Sequence, residues 1–215
     1  PKINKILNGF VSAKTMEAID HIVKFFLGAY QGANSISIAL EAIVFVFGVV
    51  SVWYAKRAHI AVYPTGLIAT LITVYLLYVA GYYGDMMMNA YYSLMSIYGW
   101  WNWSHKNDQN VLVISKTNLQ ERWIGMVLCF LTMLVTYLVY LGFGRAIEWV
   151  NYIDVVTSGI FFTAMWYMAQ KKVENWTLWI IANVITVPLY AYRGLGMLSL
   201  QYMIFTVLAV QGYRS

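Results

Sequence analysis

The chain has 215 residues, of which 61% are hydrophobic and only 11% are charged, with a formal net charge of +5. A soluble domain carries about 25% charged residues, so this composition excludes that class and indicates a chain that lies in a lipid bilayer. The positive charge needs no nucleic acid as a partner, because loop Lys and Arg are expected beside anionic lipid headgroups. The single cysteine, Cys129, excludes an intrachain disulfide and a cysteine-based metal site.

The first predicted segment covers residues 1–34. Charged residues at positions 14, 17, 20 and 24 interrupt any apolar core, so the segment lacks the pattern of a signal peptide. Ile19, Ile22, Val23 and Phe26 recur at helical spacing. We therefore expect an amphipathic helix that lies at the membrane interface.

Seven stretches follow, each long enough to cross a bilayer as a helix, for which about 20 apolar residues are needed. Two of these stretches contain one acidic residue each: residues 35–55 contain Glu41, and residues 149–170 contain Asp154. Five contain no Asp, Glu, Lys or Arg, and these are residues 60–84, 86–104, 123–144, 175–192 and 194–213. The sequence predicts an all-α membrane protein with seven transmembrane helices.

The distribution of basic residues predicts the orientation. The loops opposite the C-terminus hold only Arg145 and Arg193 among the basic residues. The loops after spans one, three and five, together with the C-terminus, hold Lys56, Arg57, Lys106, Lys116, Arg122, Lys171, Lys172 and Arg214. The positive-inside rule then places the C-terminus in the cytoplasm and the N-terminus in the periplasm, although lysines at positions 2, 5, 14 and 24 argue the other way.

An internal repeat organises the seven spans. Residues 41–102 align without a gap on residues 154–215, an offset of 113 that superposes Gly99 on Gly212 and Glu41 on Asp154. Apolar helices resemble one another by composition, but an ungapped match across three helices and two loops favours a duplication. Span four has no counterpart, so the repeats run parallel, as found in transporters that bind substrate near the bilayer midplane.

This 3+1+3 layout divides the chain into four parts. They are an interfacial segment (1–34), a first three-helix repeat (35–104), a loop with a linker transmembrane helix (105–148), and a second repeat (149–215).

Candidate binding residues lie in spans six, three and seven. In ENWTLWIIANV, residues 174–184, two indoles and an amide share one helical stripe. An interfacial belt could explain the first indole, and an interhelical hydrogen bond could explain the amide. Aromatic rings with amides otherwise suit a flat, neutral or cationic heterocycle that carries a sugar. The residues expected to bind substrate are Trp176, Trp179, Asn183, Asn89, Tyr92, Gln201, Tyr202 and Trp100.

Four further residues are expected at a gate or vestibule. Glu41 and Asp154 fall in the first two turns of their spans, where a carboxylate favours the helix dipole; proton coupling is the alternative role. Tyr98 and Tyr213 lie at the cytoplasmic ends of spans three and seven, where an interfacial belt also accounts for Tyr98.

Other functional classes fit less well. A retinal protein needs a lysine in its last helix, and residues 194–213 contain none. The three histidines lie outside the spans or at their ends, so neither an enzyme, a metal site nor another cofactor is expected. A purely structural subunit would not explain a duplicated set of amides and aromatic rings.

Two motifs resemble the signatures of the PnuC family of bacterial nicotinamide riboside transporters. The pattern E-N-W-x-x-W-x-x-x-N is complete from Glu174 to Asn183, and Y-G-W-x-x-W is complete from Tyr98 to Trp103. The resemblance covers about residues 35–215, and the 3+1+3 layout resembles that of the SWEET sugar transporters. One departure is Asn89, where the family commonly has Gln.

The resemblance implies facilitated diffusion of nicotinamide riboside across the bacterial inner membrane. A cytoplasmic riboside kinase would then trap the substrate by phosphorylation, and the protein would be a homotrimer. A related vitamin such as thiamine, or a sugar as in SWEET proteins, is the alternative substrate.

Overall fold

The computed structural model describes residues 13–27, 34–80, 83–104, 114–142, 148–192 and 196–214. Within these ranges the chain is all-α, as the sequence predicts, and no strand forms there. The helices are α1 (Ala13–Leu27), α2 (Ser35–Lys56), α3 (Val62–Ala80), α4 (Tyr83–Ser104), α5 (Leu119–Gly142), α6 (Trp149–Ala169), α7 (Glu174–Tyr192) and α8 (Gly196–Arg214).

Helix α1 covers part of the predicted interfacial segment, the rest of which lies outside the described residues except for Asn34. Its apolar side chains Met16, Ile19, Ile22 and Val23 are exposed. An amphipathic helix with an uncovered apolar face is suited to the membrane surface.

The helices α2 to α8 begin and end within four residues of the seven predicted spans. The largest shift at a helix start is in α5, which begins at Leu119 instead of residue 123. The backbone N–H of Asn118 donates to the Glu121 carboxylate at 2.8 Å, and the Glu121 N–H donates to the Asn118 side chain at 2.8 Å. This reciprocal capping box starts the helix before the charged residues Glu121 and Arg122. A search for uncharged segments therefore misses the first turn of the helix.

Among the described residues, three helices are long and apolar enough to cross a membrane by length and composition: α2, α3 over residues 62–79, and α5. The other four long helices, α4 and α6 to α8, have 22, 21, 19 and 19 residues. At 1.5 Å per residue, 19 residues extend about 28 Å, close to the ~30 Å hydrocarbon core. Their Trp, Tyr, Asn and Gln residues lower their hydropathy without shortening them.

The packing contacts form a closed circuit of six helices. Helix α2 packs on α3, α3 on α4, α4 on α6, α6 on α7, α7 on α8, and α8 on α2. Helix α5 packs mainly against α6, outside this circuit. The circuit therefore encloses a central space between α2–α4, called here the first half, and α6–α8, the second half.

The helix boundaries recur at the offset of the sequence repeat. Lys56 and Ala169, which end α2 and α6, are 113 residues apart, and so are the first residues of α4 and α8. The turns that follow α2 and α6 each contain a non-glycine residue with positive φ, Ala58 at 48° and Lys171 at 53°, again 113 apart. Positive φ is uncommon outside glycine, so the two halves share an unusual turn at the same position.

These turns mark one end of the bundle, called here the basic end because it carries Lys56, Arg57, Lys171 and Lys172. A short segment before α5 is fixed to it: Ser115 N–H donates to the Lys171 carbonyl at 3.1 Å, and Val173 N–H donates to the Ser115 carbonyl at 3.0 Å. Lys172 also pairs with Glu121 at 2.7 Å. The linker helix is thereby attached to the turn between α6 and α7.

Candidate functional site

The central space is a cavity of about 740 Å³, within the ~300–1,000 Å³ typical of small-molecule sites. All six helices of the circuit line it, and α5 adds Tyr140. The structure brings eight sequence-predicted residues to this central cavity: Trp176, Trp179, Asn183, Asn89, Tyr92, Gln201, Tyr202 and Asp154.

Helix α7 presents two buried polar atoms at the cavity. Asn183 is 1% exposed, and its side-chain oxygen has no hydrogen-bond partner among the described residues. The indole nitrogen of Trp179, one helical turn away, is likewise buried and unpaired within that part of the chain. Because buried polar groups are nearly always hydrogen-bonded, an acceptor and a donor beside a cavity indicate a place for a polar ligand.

The residues in the first turn of α7 hold Trp179 and Asn183 in position, and not all of them are expected to bind ligand. The Glu174 carboxylate accepts the Thr117 N–H at 3.0 Å, which fixes the helix start to the segment before α5. The Asn175 amide donates to the Lys172 carbonyl within the preceding turn. Trp176 packs on Gly212 of α8, where an added Cβ would lie 2.7 Å from the indole.

An aromatic cluster forms one wall of the cavity, and we call it the aromatic wall. Phe161 of α6 lies 5.5 Å from Trp179 and 5.9 Å from Tyr202, measured between ring centroids. Tyr202 also contacts Tyr190 at 5.2 Å and Phe205 at 5.6 Å. Such rings offer a stacking surface for a flat ligand and attract a cation to their faces.

Sequence reasoning missed Phe161 and Tyr190 as site residues. Phe161 follows Asp154 by seven residues and so shares its helical stripe, which is the signal that could have identified it. Tyr190 lies beyond Pro188, and no repeat identity or motif marks it.

Two more amides reach the cavity from the third helix of each half. Gln201 of α8 lies against Gly48 of α2, where an added Cβ would be 2.7 Å from the Gln201 amide nitrogen. Asn89 of α4 lines the cavity from the first half, and its backbone carbonyl accepts the Ser93 hydroxyl at 3.0 Å. With Asn183, amides from three helices surround the same space.

Aromatic packing narrows the cavity at the basic end. Tyr63 is 1% exposed and lies edge-on to Trp103, with ring centroids 5.0 Å apart. Its ring occupies the space beside Gly99 that a side chain there would need. The Trp103 indole donates to the Ala169 carbonyl at 3.2 Å, which joins the first half to the second.

Four predicted site residues lie away from the cavity. Trp100 lies about three helical turns beyond Asn89, but it is 41% exposed and does not belong to the described cavity lining. Tyr213 is 56% exposed at the end of α8. Glu41 is exposed, and Tyr98 accepts a 2.7 Å hydrogen bond from the Gln170 amide of the other half.

The opposite end of the cavity carries a carboxylate. Asp154 lines it, and its Oδ2 accepts the Tyr140 hydroxyl at 3.0 Å. No Lys, Arg or His belongs to the lining within the described ranges. The electrostatics of the cavity therefore favour a neutral or cationic ligand.

Comparison with known proteins identifies the family of this chain. The family model described as "Nicotinamide mononucleotide transporter" matches residues 38–215. The chain is 28% identical over 201 residues to the nicotinamide riboside transporter PnuC of Escherichia coli, covering 81% of this chain and 83% of that protein. The protein of the same name from Neisseria mucosa is 25% identical over 202 residues, covering 82% and 76%.

The fold is also similar to a solved structure. The crystal structure of the vitamin B3 transporter PnuC matches with a TM-score of 0.65 at 23% sequence identity, covering 90% of this chain and 87% of that one. These findings confirm the resemblance to the PnuC family and the prediction of an all-α membrane protein. The family and the relatives are transporters and not enzymes. The chain therefore belongs to the nicotinamide mononucleotide transporter family.

Proposed function

We propose that this protein carries nicotinamide riboside across the bacterial inner membrane by facilitated diffusion. The observation that supports this most directly is the pair of unpaired buried atoms, Trp179 Nε1 and Asn183 Oδ1, beside the aromatic wall. A flat pyridinium ring can stack there while its carboxamide and ribose hydroxyls meet amide groups. The relatives named as nicotinamide riboside transporters support the same substrate.

The charge of the cavity distinguishes the riboside from the mononucleotide. A phosphate monoester carries about −1.5 to −2 charges at pH 7, and burying it without a cationic partner is costly. The described lining offers Asp154 and no cationic side chain. The riboside instead carries one positive charge on its ring, which the aromatic faces stabilise.

In the proposed pose, the ring lies against Trp179 and Phe161, with Tyr92 and Tyr202 completing an aromatic enclosure. Asn183, Asn89 and Gln201 then hydrogen-bond the polar groups of the ligand. Trp176 bounds the site at the basic end. Trp100 and Tyr213 are left out, because they lie outside the cavity.

The architecture proposed for transport is two parallel three-helix halves joined by α5. The recurrence of helix ends and turns at an offset of 113 supports this 3+1+3 layout. Both halves line the cavity, so rocking of one half against the other would expose the site to each side in turn.

The basic end supplies the proposed inner gate, which the positive-inside rule assigns to the cytoplasm. The hydrogen bonds that join the halves there include Gln170 to Tyr98 at 2.7 Å and Lys56 to Gln211 at 2.8 Å. Tyr98 and Gln211 are 113 residues apart, and their partners Gln170 and Lys56 differ from this offset by one residue, so the two bonds lie at nearly equivalent places in the two halves. Their opening, with loss of the hydrogen bond from Trp103 to Ala169, would release the riboside to a cytoplasmic kinase that traps it by phosphorylation.

The remaining proposals follow the family. The protein is a homotrimer in the bacterial inner membrane, with its C-terminus in the cytoplasm. Glu41 and Asp154 face the periplasmic side.

Titration calorimetry of the purified protein tests the substrate. Nicotinamide riboside is expected to bind, and nicotinamide mononucleotide and free nicotinamide are expected to bind at least tenfold more weakly. Trp179→Ala is expected to abolish the riboside signal, whereas the matched control Trp123→Ala, on the exposed face of α5, keeps it. Mononucleotide binding equal to riboside binding would refute the charge argument.

Thiamine is the second candidate, because it too combines a flat aromatic system with a fixed positive charge. Binding of thiamine without binding of the riboside would support the same cavity as the binding site, with thiamine as its substrate. A response to a neutral sugar alone would instead favour a SWEET-like substrate.

A further inference from the structure

Asp154 occupies a position that capping of α6 does not explain. It is the sixth residue of the helix, which begins at Trp149 and has Glu148 at its N-cap. The effect of the helix dipole falls off within the first turn. The carboxylate instead accepts the Tyr140 hydroxyl, which comes from the linker helix outside the six-helix circuit.

The same carboxylate lies in line with the aromatic wall. Asp154 and Phe161 are two helical turns apart on α6, and both line the cavity. Seven residues correspond to about 10 Å along the helix axis. A ligand entering from the Asp154 end therefore passes this charge before it reaches the rings.

The charge is present in one half only. Glu41, the residue 113 positions earlier, is exposed and does not line the cavity. Asp154 is thus the single Asp, Glu, Lys, Arg or His residue in the described lining.

We propose that Asp154 is the charge-selecting residue of this transporter: it favours substrates with a fixed positive charge on the ring and disfavours neutral and anionic analogues. This inference rests on the proposed function and specifies the ligand class of the same site. Tyr140 is a positioning residue that holds the carboxylate towards the cavity. The charge acts across the space between Asp154 and the aromatic wall, without direct contact with the ring.

The size of the effect follows from Coulomb's law. Two unit charges about 10 Å apart, with an effective dielectric constant of ~20, change the binding constant roughly tenfold. The aromatic rings also prefer a cation, so the contribution of Asp154 must be isolated with a matched pair of ligands.

Nicotinamide riboside and its reduced 1,4-dihydro form are such a pair, because they share their shape while only the oxidised ring is charged. In Asp154→Asn, the affinity for the oxidised riboside is expected to fall about tenfold, and the affinity for the reduced form is expected to stay within twofold. Glu41→Gln, the equivalent change in the first half, is the matched control and should alter neither. Tyr140→Phe should also lower the affinity for the oxidised riboside, by a smaller factor than Asp154→Asn.

An equal loss for both ligands, or no loss for either, would overturn the inference, because the carboxylate would then act through packing or not at all. If Asp154→Asn does not insert, Asp154→Ser removes the charge with a smaller side chain and serves the same comparison.

Failure of the proposed function gives a different result, in which the wild type binds neither riboside. The same variants are then compared with thiamine and its neutral isostere deazathiamine. If Asp154→Asn weakens the binding of thiamine but not of deazathiamine, Asp154 is still the charge-selecting residue, but the substrate is a different vitamin. Binding of no cation by the wild type would overturn both proposals.

Discussion

The first and second halves place different side chains at equivalent positions around the central cavity. The second half contributes Phe161, Trp179 and Asn183, and the residues 113 positions earlier are Gly48, Gly66 and Thr70. The second half therefore supplies the aromatic wall, and the first half has small residues at the equivalent positions. Helices at equivalent positions in the two halves thus present different side chains to the cavity.

The halves remain alike at the basic end. Tyr63 packs on Gly99 in the first half, and Trp176 packs on Gly212 in the second; the members of both pairs are related by the offset of 113. In each case an aromatic residue of the second helix lies where the third helix has no side chain. These packing contacts are alike in both halves, whereas the side chains that line the cavity differ.

The largest effect is expected when Trp179 is replaced by glycine, the residue at the equivalent position 66 of the first half. Trp179→Gly removes the stacking surface and a buried donor, so riboside affinity is expected to fall about 100-fold, the sum of lost stacking and lost apolar contact. Calorimetric titration measures the loss. A fall of less than fivefold in a folded sample would show that the aromatic wall binds no ligand.

A second test concerns the pairs that the halves share. Gly99→Ala brings a Cβ into the buried Tyr63 ring and is expected to lower stability by about 2 kcal/mol, within the usual range for overpacking. Gly212→Ala should lower the stability by less, because Trp176 is only half-buried and can move. Thermal unfolding in detergent compares the two variants, and equal costs would contradict this reasoning.

A smaller effect is expected when Asn183 is replaced by the residue at the equivalent position in the first half. Asn183→Thr removes the amide and should weaken riboside binding about tenfold, the range for losing a hydrogen bond to a buried partner. Helix α7 should remain folded, because Thr186 already bonds its hydroxyl to the helix backbone at 2.8 Å. Unchanged affinity would remove Asn183 from the site.

The smallest effect is expected at two of the hydrogen bonds between the halves, Gln170 to Tyr98 and Lys56 to Gln211. Tyr98→Phe and Gln211→Ala each remove one neutral or singly charged bond at an exposed position, which contributes about 0.5–1.5 kcal/mol. Each should alter riboside uptake into proteoliposomes by about twofold to threefold, and the double variant should exceed either. A large effect in only one variant would show that the gate is not symmetric.

Much of the candidate site could be predicted from periodicity and the repeat. The stripe from Trp176 to Asn183 and the residues Asn89, Tyr92, Gln201 and Tyr202 all line the cavity. Trp100 does not belong to the described lining and is 41% exposed, whereas Gly99 beside it packs against Tyr63. Phe161 and Tyr190 were missed because no motif distinguishes them from lipid-facing aromatic residues.

The sequence by itself determined the helices and their order, because a long uncharged segment in lipid must satisfy its backbone hydrogen bonds as a helix. It also revealed the repeat, since the offset of 113 is visible without coordinates. Only the tertiary structure decided which way each helix faces. That rotation is set by packing against neighbouring helices, and it turns Asp154 towards the cavity while its counterpart Glu41 stays exposed.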